Sequence, residues 1–205
     1  VTRLNRRSLA WAIVVLVLAV VAGGVVMILR LSGPDLTGTA QEQVISVDSS
    51  TRSALMEAAD HFLETDPARN KGNLLATDKP ALHPRMFCHE DLIEVRRKDP
   101  QLLLVGLMAW CEELARSGEK LVAGSGYGVP LLLTMQSVNG RFTVQHVDEP
   151  ADGDENIPTT RAMFSPEGAP RAIELASAES DLEKEIREEA RRTFGLPPDA
   201  KALLP

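Results

Sequence analysis

Acidic residues are missing from the first 30 positions of this 205-residue chain, which carry Arg3, Arg6, Arg7 and Arg30. All 29 acids therefore fall later, against the remaining 18 bases, and the part beyond residue 30 has a net charge of −11. Nucleic acid and anionic lipid would both repel such an acidic body, which excludes them as its main partners. Cysteine is nearly absent. Cys88 and Cys111 are the only two, and the 22 residues between them exclude the C-x-x-C motif of thiol redox catalysts. Four histidines, His61, His83, His89 and His146, share no metal-ligand spacing, and no H-E-x-x-H occurs. The stretch Gly124-Ser125-Gly126-Tyr127-Gly128 lacks the Gly-Lys-Ser/Thr of a phosphate loop. It is not a nucleophile elbow either, because Ala123 and Tyr127 stand where glycine is required; a kink or bulge in a long strand is the expectation. Asp152-Gly153-Asp154-Glu155-Asn156 begins like a calcium loop, but Ile157 and Met163 hold the positions of the turn glycine and the bidentate glutamate. An acidic surface turn is expected there. No metal and no cofactor is therefore expected.

What is present begins with residues 9–29, an unbroken run of Leu, Ala, Trp, Ile, Val, Gly and Met. As a helix these residues span about 31 Å, the hydrocarbon thickness of a bilayer. Three arginines precede the run and Arg30 alone closely follows it, so residues 1–8 are expected in the cytoplasm and the remainder outside. A cleaved signal peptide is the competing reading. Cleavage after Val20-Val21-Ala22 would leave Gly23 to Leu29 as an apolar stub, and the run exceeds a usual signal core. The expectation is a single-pass anchor in the cell membrane, with the lipid bilayer as a partner through residues 9–29.

Residues 30–48, polar with scattered Gly and Pro, read as a stalk. Residues 49–205 read as one α+β domain. A helix is expected near Ser50–Glu64, with Ala54, Leu55, Ala58, Ala59, Phe62 and Leu63 on one stripe and Ser49 or Ser50 as cap. Residues 86–148 read as a four-stranded antiparallel meander. Its later half is the clearer, with strands at Lys120–Ala123 and Val129–Met135 and a tight turn at Ser137-Val138-Asn139-Gly140. Arg141–Val147 should alternate Phe142, Val144 and His146 against Thr143, Gln145 and Val147. In the first half, Asp99-Pro100 could open a helix as well as turn a hairpin. The cysteines favour the hairpin. Their numbers sum to 199, as do those of Asp99 and Pro100, so a hairpin about that dipeptide sets Cys88 opposite Cys111, within bridging distance. Beyond the membrane, where thiols are oxidised, a structural disulfide is expected. A C-terminal helix follows the capping box Ser180-Asp181-Leu182-Glu183, with Leu182, Ile186, Ala190 and Phe194 as its buried stripe. A shorter helix is expected at Pro170–Ala176.

Helix, curved meander and further helix together resemble the cystatin-like or NTF2-like architecture. Several short segments are similar to those of membrane-anchored extracytoplasmic proteins of high-GC, Gram-positive bacteria: Phe87-Cys88, Cys111-Glu112-Glu113, Gly124-Ser125-Gly126 with Pro130, Gly140-Arg141-Phe142-Thr143-Val144, Glu149-Pro150-Ala151-Asp152-Gly153 and Met163-Phe164-Ser165. The resemblance implies a fold and a location but no activity. Two functions remain. One is an interaction module of the cell envelope that binds a protein, peptide or glycan. The other is a small hydrolase or isomerase using histidine and carboxylate groups, with His89, Glu90 and His146 as the pocket candidates. Catalysis would require at least two of His89, Glu90, Asp91 and His146 in one pocket.

Overall fold

The computed structural model describes residues 42–178 and 182–203. The expected anchor at 9–29, its flanks and the Ser180 cap lie outside them. No helix among the described residues is long and apolar enough to cross a membrane. The architecture is α+β, a six-stranded, mostly antiparallel sheet with helices on both faces. In chain order the elements are β1 (Gln43–Val44), α1 (Ser49–Thr65), α2 (Leu74–Asp78), β2 (Arg85–Arg97), β3 (Leu102–Ser117), β4 (Lys120–Val138), β5 (Arg141–Asp148), α3 (Asn156–Met163), α4 (Gly168–Ser177), α5 (Leu182–Phe194) and β6 (Ala202–Leu203). The strands lie in the order β1-β2-β3-β4-β5, and β6 runs parallel to the start of β4. The pairing of Gln43–Val44 with β2, and the packing of Ile45 and Val47 on the core, make residues 43–47 part of the domain, ahead of the expected boundary at residue 49.

The expected four-stranded meander forms β2 to β5. α1 touches both β2 and β5, the margins of that meander, so the sheet curls around the helix. Leu55, Ala59 and Leu63 of α1 are fully buried against Met86, Cys88, Val105, Leu107, Leu131 and Leu133. Asp48, not a serine, caps α1: its carboxylate accepts from the Thr51 N–H at 2.9 Å and from the Ser50 hydroxyl at 2.6 Å. These bonds hold its carboxyl below the usual range, because they favour the charged form.

The opposite face carries three helices. α5 lays Ile186 and Ala190 over Phe87, Leu114 and Leu121, with Phe194 edge-on to Phe87 at 5.5 Å between ring centres. α3 and α4 cover the other end through Phe164, Ala169 and Ala172, joined by Ile93. Phe164 lies over Gly106 so closely that a Cβ there would come within 2.6 Å of the ring. α3 is an addition to the sequence reading. The acidic stretch at 152–156 forms a short 3₁₀ turn, Gly153–Glu155, that feeds directly into it.

Three bulges shape the sheet. In the β2–β3 hairpin, pairs near the turn sum to 200 (Arg97↔Leu103, Glu94↔Gly106), so the turn centres on Pro100 rather than between Asp99 and Pro100. Ile93 is then passed over, and pairs beyond it sum to 199, which brings Cys88 opposite Cys111. The two are disulfide-bonded, with Cα atoms 4.1 Å apart. In β5 the extra residue is Gln145, between the pairs Thr134↔His146 and Met135↔Val144. It reverses the expected alternation beyond Val144: Val147 joins Phe142 and Val144 on the core side, and His146 turns to the other face. In β4, Gly124 and Ser125 together oppose Glu113, so the glycine-rich stretch is a bulge in one long strand.

The disulfide closes a loop with a sequence separation of 23. Replacing both cysteines by serine is expected to lower unfolding free energy by about 3 kcal/mol. Urea unfolding of the full-length chain in detergent checks this, and a loss under about 1 kcal/mol would contradict it.

Candidate functional site

Strand alternation separates the adjacent candidates His89 and Glu90. Met86 and Cys88 face α1, so Glu90 does too; Phe87 faces α5, and so does His89. His89 Nε2 stands 3.4 Å from Glu189 Oε2 of α5. Around this margin of β2 the two helices bring carboxylates together: Asp60 and Glu64 from α1, Glu90 from β2 and Glu189 from α5. Arg85, His61 and His89 are the nearby basic side chains. Glu64 accepts from the Cys88 N–H at 3.2 Å, which hangs α1 directly on the strand that holds the disulfide.

Burial dominates the electrostatics of this seam. It pushes the Glu90 carboxyl up to about 8, with Asp60, Glu64 and Glu189 adding repulsion. Glu64 rises to about 7, again chiefly by burial and then by Asp60, with the Cys88 N–H opposing. Asp60 is raised in the same sense by burial and Glu189. Glu90 Oε1 is buried with no hydrogen-bond partner among the described residues. At neutral pH Glu90 is thus mainly protonated, a neutral carboxyl against α1. Among the described residues no three His, Cys, Asp or Glu side chains are placed to hold a metal ion.

His146 is elsewhere. It sits on β5 opposite Thr134, its side chain 66% exposed and 3.2 Å from Asp148. There it lines the rim of a cavity of about 610 Å³ between the sheet and α3, which neither His89 nor Glu90 reaches. The floor is apolar, from Leu104 and Leu132, with Met163 and Ala162 contributed by α3. The rim is polar and of mixed charge: Lys98, His146, Asp148, Glu149 and Glu42. Arg96 is buried in its wall and already engaged. It pairs with Glu42 at 2.7 Å and Glu94 at 3.0 Å, and donates to the Met163 carbonyl at the end of α3. Glu94 in turn accepts from the Ser165 N–H and hydroxyl. Gly168 lies so close to Glu94 that a Cβ would collide with its carboxylate. The cavity wall is therefore held by a chain of charge-assisted bonds, which fixes α3 over the sheet.

A cleft of this size with an apolar floor and a few polar groups at its mouth suits a ligand with one greasy and one hydrogen-bonding part. Sequence reasoning picked out His146 but missed this cleft. Arg96, Leu104 and Thr134 line up across β2, β3 and β4, but His146 joins them only through the Gln145 bulge and Met163 only through α3, neither of which has a local signature. Glu113 was also missed as a structural group. It is 2% exposed and accepts from the backbone N–H groups of Leu75, Ala76 and Ser125, tying α2 to the β4 bulge.

Because Glu90 and Glu64 hold protons in the folded chain that the unfolded chain releases near 4.5, stability is fullest below that pH and falls as pH rises through 7 to 8. Glu90→Gln is expected to flatten this fall, stabilising the protein at pH 8.5 by on the order of 3 kcal/mol and little at pH 4.5. Thermal melts across that range check it; an equal shift at both ends would contradict the assignment. Comparison with protein-family models, curated proteins and solved structures finds no match for the chain.

Proposed function

We propose that the chain is a membrane-tethered, extracytoplasmic binding module of the cell envelope, built on a cystatin-like or NTF2-like helix-and-curved-sheet core. The observation that carries this reading is the 610 Å³ cleft on the sheet face away from α1. Its apolar floor and mixed polar rim favour a peptide or glycan segment, and its deepest cation, Arg96, is spent on internal bonds. The tether rests on the uncharged run at 9–29, and the Cys88–Cys111 bridge supports an oxidising surrounding. In a cystatin-like or NTF2-like fold the space between helix and sheet is where a catalytic pocket would be sought. Here Leu55, Ala59 and Leu63 fill it. The hydrolase or isomerase alternative needs two of His89, Glu90, Asp91 and His146 in one pocket; His89, Glu90 and His146 are separated, and Asp91, which shares the face of His89, is exposed, which weighs against it.

Ala162 lines the cleft from its exposed side, so Ala162→Trp blocks it without displacing a packed residue. In a strain lacking the gene, A162W is expected to fail in complementation while H89A and E90Q succeed. Full rescue by A162W together with loss of rescue by E90Q or H89A would favour the catalytic reading. Alkaline phosphatase fused after residue 205 should be active and a fluorescent protein fused there dark; the reverse result would overturn the outward orientation.

A further inference from the structure

β4 is paired on its outer side with β6 at Leu121 and Val122 and with β5 from Leu132 to Val138. Between these segments, among the described residues, no strand lies against it. The open stretch is Gly126-Tyr127-Gly128-Val129, ended by Pro130, which has no N–H to offer a further partner. The ladder fixes which backbone groups face out. Cys88 turns its N–H away from β3, toward Glu64. Cys111 opposite therefore turns its own N–H and C=O toward β4, and its partner Tyr127 turns inward to meet them. Gly126 and Gly128 then direct theirs outward, and both residues are exposed. The outward N–H of Leu121, bonded to the Lys201 carbonyl at 3.2 Å, gives the same phase once the bulge is counted.

A groove of about 310 Å³ runs beside this edge, walled by Trp110 of β3 and by Ile186, Arg187 and Glu183 of α5. Gly126 and Gly128 send no side chain into it. Trp110 explains one glycine, since a Cβ on Gly128 would come within 2.8 Å of the indole. Glu112 is already bound to Arg187 through both carboxylate oxygens. Glu183 also pairs with Arg187, at 2.6 Å, and its side chain is 64% exposed at the groove mouth.

We propose that the open edge of β4 takes up an extended basic peptide as an added strand, with one apolar side chain seated between Trp110 and Ile186 and a basic side chain against Glu183. Main-chain bonds to Gly126 and Gly128 supply affinity, and the groove supplies selectivity. This deepens the binding-module reading and rests on it, at residues distinct from the cleft. A second copy is the poorer occupant: its glycines would face these glycines, leave the groove empty and bring two acidic bodies together. The net charge of −11 beyond residue 30 favours a basic partner instead.

The test uses the full-length chain in detergent and a capped heptapeptide, Thr-Lys-Thr-Leu-Thr-Lys-Thr, with binding read by fluorescence anisotropy. A version with glutamate for lysine is expected to bind about tenfold more weakly, and Glu183→Lys to reverse that preference. Two N-methylated versions carry the methyls on alternate amides. One set faces β4 in an added strand and should cost about tenfold or more, while the other faces solvent and should stay within about twofold. No saturable binding, or equal loss from both methylated sets, would overturn the proposal. So would a dimer of the full chain that Gly126→Pro dissolves, which would assign the edge to a second copy. Failure of the peptide alongside loss of complementation by A162W would remove the edge site and leave the binding-module reading standing.

Discussion

Pairing of β2 with β3 is the constraint on which the rest of the domain depends. It places Cys88 against Cys111 near the middle of the core and joins them covalently. From that point the geometry propagates in three directions. Cys88 offers its free N–H to Glu64 and so hangs α1 on the sheet. Cys111 turns its backbone toward Tyr127 and sets the phase of β4, which leaves the two glycines facing outward. The alternation of β2 sends Phe87 to α5 and Glu90 to α1, splitting the ionisable residues of this margin between two helices.

The faces of the sheet divide the work. The concave face is filled by α1 and is the greasiest part of the domain, with the carboxyls of Glu64 and Glu90 raised there to about 7 and about 8. Such groups raise the cost of alkaline conditions and offer little to a ligand. The convex face is only partly covered. α5 and the α3–α4 pair sit at its two ends, and the cleft and the Trp110 groove lie beside them. Three carboxylates, two of them buried and Glu112 partly so, act as rivets on this frame. Glu94 fixes the α3–α4 junction, Glu113 fixes α2 to the β4 bulge, and Glu112 fixes α5 through Arg187. Each accepts several bonds at once, which offsets the cost of removing its charge from water.

Much of the fold was legible because local signals agreed with the tertiary outcome. The stripe of Leu55, Ala59 and Leu63, the Asn139-Gly140 turn with both residues at positive φ, and the stripe of Ile186 and Ala190 all formed as read. The Cys88–Cys111 pairing was anticipated for a partly different reason. The expected hairpin centre was off by half a residue, and the bulge at Ile93 restored the register. Bulges are what the sequence conceals, since one inserted residue leaves composition unchanged but reverses the side chains beyond it. Gln145 did this to His146, moving it off the core side and onto the cleft. The helix α3 was hidden for another reason: Pro158 within Asn156–Met163 and the acidic residues before it resemble a turn, and packing of Met163 and Phe164 decides for helix. The candidate site was thus legible as single residues and illegible as a constellation.

Thiol trapping in living cells tests the central claim that this bridge exists and organises the domain. Cells are quenched in acid, denatured and treated with a heavy maleimide, before and after reduction. The account predicts that neither Cys88 nor Cys111 is modified until reductant is added, whereupon both shift together. Labelling of both thiols without reduction would contradict it, and with it the oxidising location on which the proposed tethered role relies.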